Sequence, residues 1–235
     1  MTFSWKRVNA IFQKDFKDFS RNIAVSIVVF LPLLMAAVYG RMGVDSIQAH
    51  FMTINMTFAM VGTYVQCCLI AEEKEKNTLR GLMLSPASTL EILSGKSLLS
   101  FVLTIIIIFF SAFLSEYKPA NITIVAVAII LSSLFYIGMG TLLGLVAKSV
   151  MESSVIVLPV IGIFSVGSFV TVWIEKYPIL EVVNYLPNVQ LIDLAEKVEQ
   201  GVHFANILSN LGIIAAWVVI VFALTGVMYK KRMVD

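Results

Sequence analysis

Ser97-Leu98-Leu99-Ser100-Phe101-Val102-Leu103-Thr104-Ile105-Ile106-Ile107-Ile108-Phe109-Phe110-Ser111-Ala112-Phe113-Leu114-Ser115 contains no ionisable side chain. A bilayer core about 30 Å thick needs roughly 20 apolar residues at 1.5 Å of helical rise each, and this run meets that length. Five more stretches of the same kind flank it: Ile23 to Tyr39, Phe51 to Ala71, Ile122 to Ala147, Ser153 to Ile174 and Ile207 to Tyr229. The second is the weakest, because Thr53, Asn55, Thr57, Thr63 and Gln66 interrupt it. Of the 235 residues, 59% are hydrophobic and 14% charged, against about 25% charged in a soluble domain. Lipid is therefore the main solvent, and the expected fold is an all-α integral membrane domain over 1–235 with six transmembrane helices.

No Asp, Glu, Lys or Arg lies inside any of the six stretches. Ion-coupled transporters and proton relays keep ionisable groups at membrane depth, so the energy for any transport is expected to come from elsewhere. The net charge of +2 and the lack of a long basic run give no reason to expect a nucleic-acid partner. Cys67 and Cys68 are neighbours in an apolar stretch, far from His50 and His203, and read as small hydrophobes with no metal site. The N-terminus is too long and too acidic, with Asp15 and Asp18, for a cleavable signal.

The loops set the orientation. With both ends in the cytoplasm, 13 of the 17 basic residues fall inside: Lys6, Arg7, Lys14, Lys17, Arg21, Lys74, Lys76, Arg80, Lys96, Lys148, Lys230, Lys231 and Arg232. Only Arg41, Lys118, Lys176 and Lys197 fall outside. The positive-inside rule selects this arrangement.

Three pieces are not spans. In 1–21, Trp5, Val8, Phe12, Phe16 and Phe19 recur at three- and four-residue spacing among Lys6, Arg7, Lys14, Lys17 and Asp18. That pattern predicts an amphipathic helix in the membrane interface, or one packed on the cytoplasmic ends of the spans. In 72–96, the charged Glu72-Glu73-Lys74-Glu75-Lys76 precedes a short stripe of Leu79, Leu82 and Met83, and Ser85-Pro86 ends it. Ser88 and Glu91 have capping-box spacing and restart a helix into the third span. In 175–205, Tyr177-Pro178, Leu186-Pro187 and Gly201 bound an apolar-rich stretch too charged to span, which fits short outer helices. Within the fourth span, Gly140 and Gly144 form a small-xxx-small pair suited to close helix packing.

At Glu73-Lys74-Glu75-Lys76-Asn77-Thr78-Leu79 the chain resembles the membrane subunits of bacterial type-2 ABC exporters. Those carry E-R/K-E-x-G-T-L between their second and third spans, with a small residue and Pro later. Ser85-Pro86 and Gly95-Lys96 fall at the matching positions, and Leu186-Pro187 resembles the family's outer segment. Asn77 stands where Gly is usual, and Asn is the non-Gly residue best able to adopt a left-handed turn. The resemblance spans the whole chain and implies a cell-membrane permease of an ATP-driven exporter, working as a dimer with itself or a paralogue. ATP and Mg would be bound by separate cytoplasmic ATPase subunits, because nothing here matches G-x-x-x-x-G-K-[ST]. It also implies that the ATPase docks on a short coupling helix, giving Glu72, Glu73, Glu75, Asn77, Thr78, Leu79, Leu82, Met83 and Pro86 as the coupling residues. An amphipathic or apolar substrate such as a peptide toxin, antimicrobial or drug is the expectation, with lipid-linked molecules or ions as the alternative.

Two other functional classes lack the residues they need. A membrane enzyme needs facing carboxylates or a Ser/His arrangement, yet Glu72 and Glu73 are adjacent on a helix and do not face each other. A stand-alone channel or secondary transporter needs charged rings or an inverted repeat, and neither is visible.

Overall fold

The computed structural model describes residues 3–78, 81, 85, 87–166 and 177–234. Among them all regular structure is helical. Among the described residues five helical segments are long and apolar enough to cross a membrane: Ile23–Met42, Ile47–Glu75, Leu90–Leu114, Ile122–Val146 and Phe204–Tyr229. The expected span from Ser153 to Ile174 corresponds to a shorter apolar helical stretch, Val150–Ser165, and its remainder from 167 lies outside the described residues.

Helix α1 (Trp5–Arg21) buries Val8, Ile11, Asp15 and Phe19 along one stripe. It ends at Asn22, whose side chain accepts from Val25 N–H at 3.3 Å and starts α2 (Ile23–Val28). The first span then breaks before α3 (Leu31–Met42), because Pro32 has no N–H to continue the ladder. Gly43, at φ +65°, closes α3 with a bond from Val44 N–H to the Tyr39 carbonyl.

The second span lies at the centre of the bundle. It comprises α4 (Ile47–Thr57), a π-helical segment (Phe58–Val65) and α5 (Gln66–Glu75). Thr53, Asn55, Thr57, Thr63 and Gln66, which weaken its hydropathy, are all buried. They face neighbouring helices instead of lipid. Gln66 Nε2 donates to Thr141 Oγ1 at 3.0 Å, and Ser100 Oγ donates to Gln66 Oε1 at 2.7 Å. Thr63 Oγ1 donates to the Tyr136 carbonyl at 3.0 Å. A polar side chain in hydrocarbon needs such partners, so these residues select a central position.

Helix α6 (Thr89–Leu114) starts with the Ser88–Glu91 capping box, and α7 (Ile122–Val146) starts at Asn121, which accepts from Ile124 N–H. Short helices α8 (Val150–Ile156) and α9 (Leu158–Val166) follow. A 3₁₀ segment (Pro178–Tyr185) and α10 (Pro187–Glu199) precede the long α11 (Phe204–Val234). Helix α10 buries Leu191, Ile192, Leu194, Ala195 and Val198, and packs on α4, α7 and α11. The main core gathers Phe51, Phe58, Phe135, Tyr136, Phe164 and Leu191, with the Phe58 and Tyr136 rings stacked at 5.0 Å. Cys67 and Cys68 are buried in a second cluster with Val61, Val65 and Leu99.

Helix α7 reaches this close to the second span because Gly140 and Gly144 carry no side chain. A Cβ at Gly140 would collide with the Thr63 carbonyl, and one at Gly144 would lie 2.7 Å from Ile70 Cβ and 2.9 Å from the Cys67 carbonyl. Among the described residues nothing lies within 4 Å of a Cβ at Gly162. Gly140→Val is therefore expected to destabilise the detergent-solubilised protein by about 1–3 kcal/mol through overpacking, with Gly162→Ala close to neutral. Thermal unfolding followed by monodispersity checks this, and equal melting points for the two variants would refute the close contact.

Candidate functional site

The charged run after the second span does not leave the helix at its first charge. α5 continues to Glu75, and Lys76 N–H bonds the Glu72 carbonyl at 3.0 Å. The turn comes at Asn77, at φ +56°, where an L-residue with a short polar side chain tolerates the left-handed region best. Successive helical side chains point about 100° apart, so Glu72, Glu73, Lys74 and Glu75 reach in different directions.

Glu73 turns inward and is 3% exposed. Its Oε2 lies 2.8 Å from the Lys96 ammonium, which is fully buried at the foot of α6. Its Oε1 accepts from Lys14 of α1. Lys96 also approaches Asp15 Oδ2 at 3.5 Å, and Lys14 lies 3.4 Å from Asp15 Oδ1 and 3.7 Å from Asp18. Two lysines and the buried carboxylates of Glu73 and Asp15 thus join α1, α5 and α6 in one ionic knot. Burial would depress the Lys14 pKa, but the hydrogen bond to Glu73 and the charges of Glu73, Asp15 and Asp18 raise it above 10.5. Burial pushes the Asp15 carboxyl above its ordinary 3.8, against the opposing pull of Lys96 and Lys14.

The next two charges of the run fasten other elements. Lys74 Nζ donates to the Leu145 carbonyl at 2.7 Å and to the Ala147 carbonyl, satisfying backbone acceptors at the end of α7. Glu75 Oε2 accepts from Val150 N–H at 2.9 Å, at the first residue of α8. Favourable placement of an anion at a helix N-terminus adds to that bond. Lys76 returns to Glu72 at 2.5 Å, and Thr78 Oγ1 donates to the Glu73 carbonyl at 3.3 Å. Arg7 pairs with Glu91 through Nη2 at 2.6 Å and Nε at 3.0 Å, while Glu91 also accepts from Ser4 N–H and Ser88 N–H.

Of the coupling residues expected from sequence, the structure places Glu72, Glu73, Glu75, Asn77 and Thr78 on one helix end and its turn. Leu79, Leu82, Met83 and Pro86 lie outside the described residues. Glu73 faces the interior, whereas Glu75, Lys76, Asn77 and Thr78 are exposed. The aromatic stripe of α1 divides: Trp5 is 73% exposed and Phe16 also faces outward, Phe12 is half-buried, and Phe19 packs into the core with Val25 and Leu69. The sequence reading gives Lys96 only as part of Gly95-Lys96 ahead of the third span and gives Asp15 no site role, and it pairs neither with Glu73. A signal existed for both, since Asp15 falls on the same helical stripe as Val8, Ile11 and Phe19, and Lys96 directly precedes an uncharged span. Among the described residues no group of three or more His, Cys, Asp or Glu could hold a metal ion.

Removing one partner of a buried pair strands the other charge, at a cost of about 3–5 kcal/mol. Glu73→Gln is expected to lose stability in that range, and Asp15→Asn much less, because its longer contacts compensate its burial poorly. The folded pKa of Asp15 is raised, so its contribution to stability is present at low pH and lost as pH rises through the raised value. Asp15→Asn should therefore gain on the wild type as pH is raised from about 4 to 7. Denaturation in detergent at several pH values checks this, and an Asn variant that falls behind with rising pH would contradict it.

The model of the ABC-2 family transporter proteins matches residues 17–227, from near the end of α1 almost to the end of the last span. No curated protein matches the chain at a significant level. The match takes in Glu73 and Lys96 of the knot, the charged turn and nearly all of the five long apolar helices of a multi-pass membrane protein, while Lys14 and Asp15 precede it. This chain belongs to the ABC-2 family of transporter permeases, whose members are membrane subunits of transporters and work with ABC ATPases in general.

Proposed function

We propose that the chain is the membrane half of an ATP-driven exporter, with 175–205 on the outer side, both termini in the cytoplasm and a bacterial cell membrane as its setting. It pairs with a second copy or a paralogue, and separate cytoplasmic ATPase subunits bind the ATP and Mg. The observation that carries this reading is the turn from Glu72 to Thr78. Its side chains hold α1, α6, α7 and α8 together, so a force applied to the exposed residues after Glu75 reaches all of them. The absence of ionisable residues from the interiors of the long apolar stretches supports an external motor. Glu72, Glu73, Glu75, Asn77, Thr78 and the following Leu79, Leu82, Met83 and Pro86 form the coupling element on this reading. Glu73 acts as an internal fastener, and the exposed turn meets the ATPase.

The substrate class is amphipathic or apolar: a peptide toxin, antimicrobial or drug. An open groove of about 910 Å³ between α6 and α7 supports it. Ile105, Ile108, Phe109, Phe113 and Ile129 line the groove, with Glu116 and Lys118 at its rim. Concave, mostly apolar sites with a few polar groups suit ligands of that kind.

Affinity purification in mild detergent tests the assembly. A stoichiometric ABC ATPase is expected to accompany the chain, and its absence would refute the exporter reading. Leu79→Asp is expected to abolish ATPase association. Glu73→Ala is expected to keep association but uncouple ATP hydrolysis from transport in reconstituted vesicles. Normal transport by both variants would remove the coupling role from this turn.

A further inference from the structure

Beside the ionic knot, a charged cleft opens between the end of α1, the start of α2 and the end of α5. Its outer part, about 440 Å³, is lined by Asp18, Arg21, Asn22, Ile23, Glu72 and Lys76. A smaller inner part shares Asp18, Glu72 and Lys76 and adds Lys14 and Glu73. The cleft is polar, yet it opens beside an exposed apolar surface. Ile23, at its edge, is 77% exposed, and Ile27 and Phe30 continue that exposed face along the first span.

The outer lining carries both signs in equal number: Asp18 and Glu72 against Arg21 and Lys76. Glu72 and Lys76 already pair with each other. Asp18 has only a 3.7 Å contact with Lys14, and Arg21 forms no ion pair among the described residues. One anion and one cation therefore keep hydrogen-bonding capacity for a ligand, three residues apart on the last turn of α1. Residues three apart on a helix are neighbours on its surface. An amphipathic helix with outward-facing Trp5 and Phe16 places this turn at the depth of lipid headgroups.

We propose that this cleft binds the headgroup of a zwitterionic phospholipid bearing a primary ammonium, with its acyl chains along Ile23 and Ile27. The phosphate faces Arg21, whose planar fork matches phosphate oxygens. The ammonium donates to Asp18 and the free face of Glu72. A quaternary ammonium cannot donate those hydrogen bonds, so phosphatidylcholine fits less well. An anionic headgroup offers Asp18 no cation and adds negative charge beside Asp18 and Glu72, so phosphatidylglycerol is disfavoured too. The inference stands independently of whether the chain moves a substrate.

The test is native mass spectrometry of the full chain in detergent, titrated with phosphatidylethanolamine, phosphatidylcholine or phosphatidylglycerol of one acyl composition. Phosphatidylethanolamine adducts are expected at the lowest lipid concentration, by about tenfold, the scale of one charge-assisted hydrogen bond. Arg21→Ala and Asp18→Asn should each bring that lipid down to the level of phosphatidylcholine. Asp18→Lys should instead shift the preference to phosphatidylglycerol, a gain that a merely misfolded variant would not show. Equal binding of the three lipids by the wild type would overturn the proposal. So would a phosphatidylethanolamine preference that survives Arg21→Ala and Asp18→Asn. ATPase co-purification by the same variants reads the transporter function separately, so failure of one does not imply failure of the other.

Discussion

A carboxylate taken out of water must be answered by cations close to it, and the end of the bundle that carries α1 is built around that requirement. Glu73 is buried on the central helix, where an unpaired charge would cost several kcal/mol. Lys96 answers it from α6 and Lys14 from α1. Because neither lysine is on the same helix as Glu73, satisfying the charge fixes the mutual position of three elements. Hydrophobic packing alone could not do this within lipid, since the hydrocarbon is as apolar as the helix surfaces it would leave. The charges specify register and the apolar residues around them supply area.

A different chemistry operates at mid-depth. There the seam between the second, third and fourth spans is neutral: Gln66 joins Ser100 and Thr141, and Thr63 reaches the Tyr136 carbonyl. Gly140 and Gly144 allow the backbones to approach closely enough for those bonds to form. At the far end the polar contacts are mixed. His50 bridges Ser115 and Asp45, while Asn210 of α11 bonds Gln190 and Asp193 of α10. The buried ion pairs that join α1, α5 and α6 thus lie at one end, whereas at the other Lys197 pairs with Asp193 within α10 and bonds Asn210 of α11 at 3.0 Å.

The sequence made the long apolar helices legible, because the bilayer's thickness forces a run length that few soluble segments reach. It also marked Ser88–Glu91 as a helix start and Asn77 as a turn, since both follow from local backbone chemistry. What it concealed was which face of each charge was answered. Lys96 reads only as a motif position ahead of the third span until α5 is laid beside α6, and Asp15 reads only as a charge of the N-terminal segment until its stripe is seen to pack inward. The interruptions from Thr53 to Gln66 made the second span look weakest as a lipid-facing helix. They are what place it at the centre, because polar residues in hydrocarbon find partners only among other helices. Contacts between residues tens of positions apart are a property of topology, and periodicity along one helix does not contain them.

The arrangement also bears on how motion could pass through the molecule on the exporter reading proposed above. A motor acting on a flexible loop would dissipate its displacement in side-chain rearrangement. Here the loop is the last turn of a helix whose consecutive residues Glu73, Lys74 and Glu75 are fastened respectively to α1 and α6, to the end of α7 and to the start of α8. Packed interfaces with such links tend to move as bodies between discrete arrangements instead of deforming continuously. Above the knot, the neutral seam can slip at the cost of a few ordinary hydrogen bonds, each worth about 1 kcal/mol. The end that receives the push is therefore the stiffer one, and the part that must open for a substrate is held by contacts that exchange more easily. That gradient of stiffness follows from where the charges stand, and an uncharged coupling turn of the same shape would not provide it.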